Sequence, residues 1–328
     1  MSKAQTIVPK ALASKTLTFL SLALVSLALA ATFTGCGVWA DMARDNEFRI
    51  GSLGQKSFIS PAKLRIGVLN FRDEVGLGTP QAGPNMANLV TQRFADNSRL
   101  VMVPPSQVTE TAMGLGWTGG ELTPEMAQRI GHALNLNVVM EGTISQIEQQ
   151  GGRRGWRRLV RYFTDQQNYV DALLTLIAYD TATGLVVTAR AGEGTHRTGR
   201  EPVDFFAADK TPPITQESIE LSLDEAIDDL YYRSLDGLAY TPFKATVIEE
   251  NGQTATINFG QDVGLKRGVD FVALSEKEVL TSSIAINYVI PGEAKARLVV
   301  RDVGPNSSTL EIREGSVNVG DYVQSWDD

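Results

Sequence analysis

The chain has 328 residues, 43 % of them hydrophobic and 21 % charged, with a formal net charge of −8. That hydrophobic content is ordinary for a globular fold, and the acidic balance speaks against a nucleic-acid binder, which needs a basic footprint. A single cysteine in the whole sequence rules out an internal disulfide framework.

Lys3, Lys10 and Lys15 precede an apolar run from Leu17 to Thr32, and no charge follows until Asp41. A basic start, an apolar core and small residues before a break form the pattern of a secretory signal. As a helix the run reaches roughly 24 Å, short of the roughly 30 Å hydrocarbon core of a bilayer. The break falls in Phe33-Thr34-Gly35-Cys36, at the chain's one cysteine. This tetrapeptide resembles the lipobox of bacterial lipoproteins, whose cysteine is lipidated on sulfur and becomes the first residue of the mature chain. The usual box begins with Leu and has Ala or Ser second, so Phe33 and Thr34 depart from it. The resemblance implies a signal peptide over 1–35 and a lipid anchor on Cys36. Gly37, where Asp would be the retention signal, resembles an outer-membrane address on the periplasmic face. Two other readings stay open: an uncleaved anchor extended through Ala40, with Lys15 inside and Asp41 outside, and plain cleaved secretion. All three carry the rest of the chain out of the cytoplasm. Loss of residues 1–35 removes three lysines and no acids, taking the charge from −8 to −11. Residues 36–60 lack sustained periodicity and read as a tether.

Leu64–Phe71 alternates and is rich in branched residues, which predicts a strand. Asp73–Pro84 is a loop. Met86, Leu89, Val90 and Phe94 recur at helical spacing over Asn85–Ala95. Leu100–Val103 is a short strand stopped by Pro104-Pro105, and Ser106 is positioned to cap a short helix through Met113. Thr123-Pro124-Glu125 is a helix start, a hydroxyl cap followed by proline in the first turn, with Met126, Ala127, Ile130 and Leu134 as the buried stripe. Val138–Ile144, Tyr169–Tyr179 and Leu185–Thr195 read as strands, the last two joined by the turn Asp180-Thr181-Ala182-Thr183-Gly184. Ile219, Leu223, Ile227, Leu230 and Tyr231 mark a helix over Thr215–Leu235.

Asp236–Pro242 breaks that pattern. Six short alternating runs follow: Phe243–Glu249, Thr254–Phe259, Val269–Leu274, Lys295–Val303, Ser308–Arg313 and Tyr322–Trp326. Asn251-Gly252 is a strong hairpin signal, and six short strands with turns between them predict a small closed barrel. The fold class is therefore α+β: a body over 61–240 with a mixed sheet packed with helices, and a small all-β module over 241–328.

Catalytic signals are absent from the sequence. His132 and His196 stand far apart, no Cys/His cluster offers metal ligands, Gly114–Gly120 lacks the lysine and spacing of a phosphate loop, and Gly-x-Ser-x-Gly does not occur. The acid pairs Asp73/Glu74, Asp224/Glu225 and Asp228/Asp229 read as solvated faces. The expectation is a non-catalytic chain with no cofactor and no metal.

Asn70-Phe71-Arg72-Asp73-Glu74-Val75-Gly76, Leu89-Val90-Thr91 to Val103-Pro104, Met140-Glu141-Gly142-Thr143-Ile144 and Asp180–Gly184 follow one another in the order and spacing of the curli-secretion lipoprotein family (CsgG/HfaB type), which the body resembles over 64–235. The same body resembles the amino-terminal domain of TolB and the middle domain of flagellar assembly protein T. Ala255–Gly260, Gly264–Val269 and Gly320-Asp321-Tyr322-Val323 resemble the carboxy-terminal β module of the flagellar protein. That protein has no lipid anchor, so the anchor here is a departure.

Curli-type lipoproteins build a shared barrel from two membrane hairpins per subunit, each strand needing about 9–11 residues with an apolar outer face. Here the first place, Ser145–Tyr169, carries Arg153, Arg154, Arg157, Arg158 and Arg161, each costing about 2–4 kcal/mol on a lipid face. The second, Gly194–Ile214, is short, charged and interrupted by prolines. Neither reads as a transmembrane hairpin. Within the first, Trp156, Leu159, Val160 and Phe163 fall at i, i+3, i+4 and i+7 with the arginines on the other faces. That is a basic amphipathic helix suited to lipid head groups or an acidic partner groove, or equally to packing on its own domain. The resemblance implies a homo-oligomeric scaffold or ring component that works with envelope assembly or secretion machinery on a flagellar or curli-like structure. A lipoprotein regulator of a peptidoglycan synthase and an oligomeric secretion pore are the alternatives.

Overall fold

In the computed structural model, residues 60–77, 79–150, 166–201, 214–281 and 287–326 are described. In chain order the body comprises β1 (Leu64–Val68), β2 (Arg72–Asp73), α1 (Ala82–Ala95), β3 (Leu100–Val103), α2 (Pro105–Gly114), α3 (Pro124–Leu134), β4 (Val138–Gln150), β5 (Gln166–Asp180), β6 (Val186–Glu201) and α4 (Gln216–Ala239). The sheet order is β3-β1-β4-β5-β6, with β2 beside β4. β1 is parallel to both β3 and β4, whereas β4, β5 and β6 run antiparallel in sequence. The mixed sheet expected from the sequence is present.

Two helical layers cover this sheet, and strand alternation assigns residues to each. On β4, Val138, Met140 and Ile144 face the larger core with α1 and α4, while Val139 faces the smaller one. The smaller core holds Trp117, Leu122, Ile130 and Tyr179 beneath α2 and α3. Gly142 interrupts the apolar alternation of β4 because a Cβ there would stand 2.2 Å from the Phe71 ring.

The helix starts follow local chemistry. Thr123 accepts the Met126 N–H at 3.2 Å, and Pro124 takes the first helical position, as the pattern predicts. Thr215 caps α4 in the same way, through the Ser218 N–H. α2 differs from expectation. Ser106 lies inside the helix and caps nothing, because Pro105 already supplies a preset φ and no N–H to satisfy. In α1 the buried stripe is Gly83, Met86, Ala87, Val90 and Phe94; Leu89 flanks it and is 45 % exposed. α4 also continues past Asp236 to Ala239. Gly237 reads as a breaker in sequence, yet it is a close-packing site, since a Cβ there would lie 2.6 Å from that of Thr188.

The strands outrun their sequence patterns. β4 reaches Gln150, β5 begins at Gln166 and β6 ends at Glu201, with continuous pairing out to Gln150↔Tyr169 and Gln166↔Glu201. Ser145–Gln150 is too polar to read as a strand alone, and ladder pairing with β5 supplies what its propensity lacks.

The second part comprises β7 (Lys244–Glu250), β8 (Thr254–Ile257), a 3₁₀ turn (Gln261–Val263), β9 (Asp270–Thr281), β10 (Asn287–Val303), β11 (Ser308–Gly315) and β12 (Tyr322–Ser325). These close into a six-stranded barrel in the order β10-β11-β8-β7-β12-β9. The fold is α+β, a helix-packed mixed sheet followed by a small closed barrel. Asn251-Gly252 makes the β7–β8 turn, with Gly252 at φ 72° and the Asn251 N–H donating to the Thr254 carbonyl at 2.9 Å. Phe243, Phe259 and Phe271 fill the barrel edge-to-face, with centroids 5.0 and 6.2 Å apart. They belong to the same core as Leu64 and Leu174 of the sheet, so one apolar interior runs through both parts. β9 and β10 are longer than predicted; they stay paired to Thr281↔Asn287, well past the last β9–β12 pair at Ala273. Among the described residues no helix is long and apolar enough to cross a membrane.

Candidate functional site: the sheet–barrel seam and the faces it fixes

The residues singled out in the sequence for anchoring and docking lie outside the described residues. This applies to Phe33, Thr34, Gly35 and Cys36, and to Arg153, Arg154, Trp156, Arg157, Arg158, Leu159, Val160, Arg161 and Phe163. The structure places the strand ends on either side of the arginine segment, Gln150 of β4 and Gln166 of β5.

The first feature is the seam between sheet and barrel. Lys244, the first residue of β7, puts its Nζ 2.5 Å from Asp180 Oδ2 at the end of β5, with side chains only 13 % and 8 % exposed. Asp180 Oδ1 meanwhile accepts the N–H groups of Ala182 (2.8 Å) and Thr183 (3.1 Å). The Asp-x-x-Thr-Gly turn recognised in the sequence is thus the mount for a cross-seam ion pair. Asn137 spans the same seam: its Oδ1 accepts the Arg65 N–H at 2.9 Å and its amide donates to the Lys244 carbonyl at 2.7 Å. Asn258 of the barrel accepts the Thr246 N–H and donates to Asn135 Oδ1 at 2.7 Å. Asn135 ends α3 in the left-handed region at φ 51°. Arg65 reaches Asp262 at 3.3 Å, and the Lys63 N–H donates to the Val263 carbonyl at 2.8 Å. A cavity of about 20 Å³ lies in this seam, lined by His132, Thr181, Lys244 and Asn258 among others. That volume suits one water, not an organic substrate.

The second feature is Glu141, which the sequence presented only as part of a strand motif. It is 5 % exposed. Its Oε2 accepts the Leu122 N–H at 2.8 Å and its Oε1 the Tyr179 hydroxyl at 3.3 Å. Burial pushes its carboxyl above the usual range, while the Leu122 N–H, Arg72 and Tyr179 pull the other way. Its hydrogen bonds fasten the glycine-bearing α2–α3 connection to β4. An acid inside an otherwise alternating strand, Met140-Glu141-Gly142, was the available signal.

Most of the paired acids have structural tasks. Asp73 accepts the N–H groups of Gly76 and Leu77 at 2.9 and 2.8 Å. Asp228 pairs with Arg93 at 2.7 Å; burial raises its pKa despite that arginine. Glu225 and Asp229 were read as a solvated helix face. Glu225 is exposed, and both acids also accept backbone N–H groups of β6, Thr195 at 2.8 Å and Glu193 at 3.0 Å. Among the described residues no group of three or more His, Cys, Asp or Glu is arranged to hold a metal.

No family model matches the chain, and no curated protein matches it. Among solved structures it is similar to the hypothetical protein CT253 from Chlamydia trachomatis, with 11 % identity over 54 % of this chain and 98 % of that one and a TM-score of 0.33. It is similar to the lipoprotein GNA1162 from Neisseria meningitidis, with 11 % identity over 43 % and 88 % and a TM-score of 0.30. It is also similar to the PelC dodecamer from Paraburkholderia phytofirmans, with 13 % identity over 54 % and 94 % and a TM-score of 0.28. At these identities and TM-scores the likenesses carry no argument about what this chain does.

Proposed function

We propose that the chain is a lipid-anchored protein of the bacterial envelope, held on the periplasmic face of the outer membrane through Cys36. Its sheet-plus-barrel unit is a non-catalytic scaffold or ring component in the assembly or export of a cell-surface structure of flagellar or curli type. The observation that carries this reading is the run from Leu17 to Thr32 ending in Phe33-Thr34-Gly35-Cys36, placed ahead of a body and β module in the order described above. The geometry supports an adaptor. The body and barrel share one core and are joined by a buried ion pair, by the Asn137 amide on the Lys244 carbonyl and by the Asn258–Asn135 hydrogen bond. Such a unit presents fixed faces, as a scaffold requires. The seam cavity is too small for a substrate, and Asp73, Asp228 and Glu225 are engaged in a turn, an ion pair and a strand cap.

Multi-angle light scattering on the detergent-solubilised, anchored protein tests the scaffold reading. Assemblies of several copies are the expected result. A monomer at all concentrations overturns the ring and favours a regulator that contacts a peptidoglycan synthase singly.

A further inference from the structure

β6 is an outer strand of the sheet, paired on one side with β5. In an antiparallel ladder, residues alternate between those that bond the neighbouring strand and those whose N–H and C=O point away from it. Outward-pointing N–H groups on an edge invite a strand from another molecule, and natural sheets cover or charge such edges. Glu193 and Thr195 carry two of these outward N–H groups, and both are already taken. Thr195 donates to Glu225 Oε2 at 2.8 Å, and Glu193 donates to Asp229 Oδ2 at 3.0 Å. The two acids are one helical turn apart on α4, and the two strand residues are two apart on β6, so one helix face matches the strand's period.

Close approach makes the reach possible. Gly192 and Gly194 alternate with the two capped residues. A Cβ at Gly194 would stand 1.9 Å from the Ser222 carbonyl oxygen, and one at Gly192 would stand 2.2 Å from that of Ala226. The glycines bring the α4 backbone against the strand, and the short acidic side chains then wrap its edge. Arg233 holds Asp229 from the far side, at 2.8 Å to its Oδ1, leaving Oδ2 for the strand.

We propose that Glu225 and Asp229 are an edge guard. They occupy the outward N–H groups of β6 and so prevent a strand of a second copy of this chain from adding to the sheet. Self-association then has to use another surface, and removal of the two carboxylates opens this one.

Amide hydrogen exchange and light scattering test the guard together. In the wild-type protein the Glu193 and Thr195 amides are expected to be protected although they donate to side chains and not to a strand; rapid exchange at both would overturn the proposal without any variant. In Glu225→Ala/Asp229→Ala, exchange at these two amides should accelerate about tenfold or more, the loss of one charge-assisted hydrogen bond at each. The same variant should acquire a concentration-dependent dimer or larger species beyond the wild-type state. Glu225→Gln/Asp229→Asn keeps an acceptor oxygen at each site and should behave as the wild type. An alanine variant that exchanges faster but keeps the wild-type oligomeric state overturns the guard. So does an amide variant that associates as strongly as the alanine one, since charge alone would then be responsible.

Discussion

Replacing Lys244 with Met tests the rigid seam most sharply. The pair with Asp180 is short, at 2.5 Å, and its side chains are 13 % and 8 % exposed, so solvent screens it little. Removing one partner of a buried pair costs about 3–5 kcal/mol, because the remaining charge stays buried. Asp180 keeps two backbone donors, Ala182 and Thr183, which offset part of that loss at about 1 kcal/mol each. Lys244→Met alone should therefore cost about 2–4 kcal/mol, or a fall in Tm of roughly 5–10 °C for a unit of this size. Asp180→Asn in the same background leaves no stranded charge, and its amide oxygen can still accept both N–H groups. The double variant should thus recover part of the loss, a coupling of about 1–3 kcal/mol. Urea unfolding followed by intrinsic fluorescence and far-UV circular dichroism provides the assay, with the midpoint shifting and the slope unchanged. A Lys244→Met variant within about 0.5 kcal/mol of wild type, or a double variant no better than the single, refutes the claim that this pair joins sheet and barrel.

Further outcomes follow from the packing. Gly194→Ala should destabilise by about 3 kcal/mol or more, since backbone must move, whereas Gly114→Ala, with nothing within 4 Å of the new methyl group, should be neutral or stabilise α2 by about 0.5–1 kcal/mol; thermal melts of the two variants side by side distinguish these cases. Glu141 has its folded pKa raised above its unfolded value. The neutral form is therefore favoured on folding, and its contribution is present below the unfolded value of about 4.3 and lost as pH rises through the raised folded one. Glu141→Gln should accordingly gain stability relative to wild type as pH rises across that window, and a difference that stays flat with pH contradicts the assignment. Phe71→Ala should cost about 3–5 kcal/mol, because the ring is 4 % exposed and lies against Gly142; a chemical denaturation curve measures it.

Much of the fold was legible because several signals were local. Thr123-Pro124 fixed a helix start, Asp180–Gly184 a turn and Asn251-Gly252 a hairpin, and each appears where its chemistry put it. The six barrel strands were visible because their inward residues alternate with polar ones. Strand length was less legible. Ser145–Gln150 and Arg197–Glu201 have little strand character alone and are ordered by their neighbours in the ladder. Gly237 looked like a terminator because sequence cannot tell a helix-ending glycine from one that admits Thr188. The strand contacts of the α4 acids were invisible in sequence for a similar reason. Whether a carboxylate meets water or a strand N–H depends on how closely the helix lies against β6, which the distant glycines Gly192 and Gly194 decide. Asn137 and Lys244 carried no spacing signal, since their partners are brought together only by the fold.

The anchor at Cys36 is tested most directly by the intact mass of the protein recovered from the outer-membrane fraction. The expected result is a chain beginning at Cys36 with added fatty-acyl mass, and a Cys36→Ser variant that leaves that fraction. A native chain with unmodified Cys36, or a serine variant that fractionates unchanged, would contradict it.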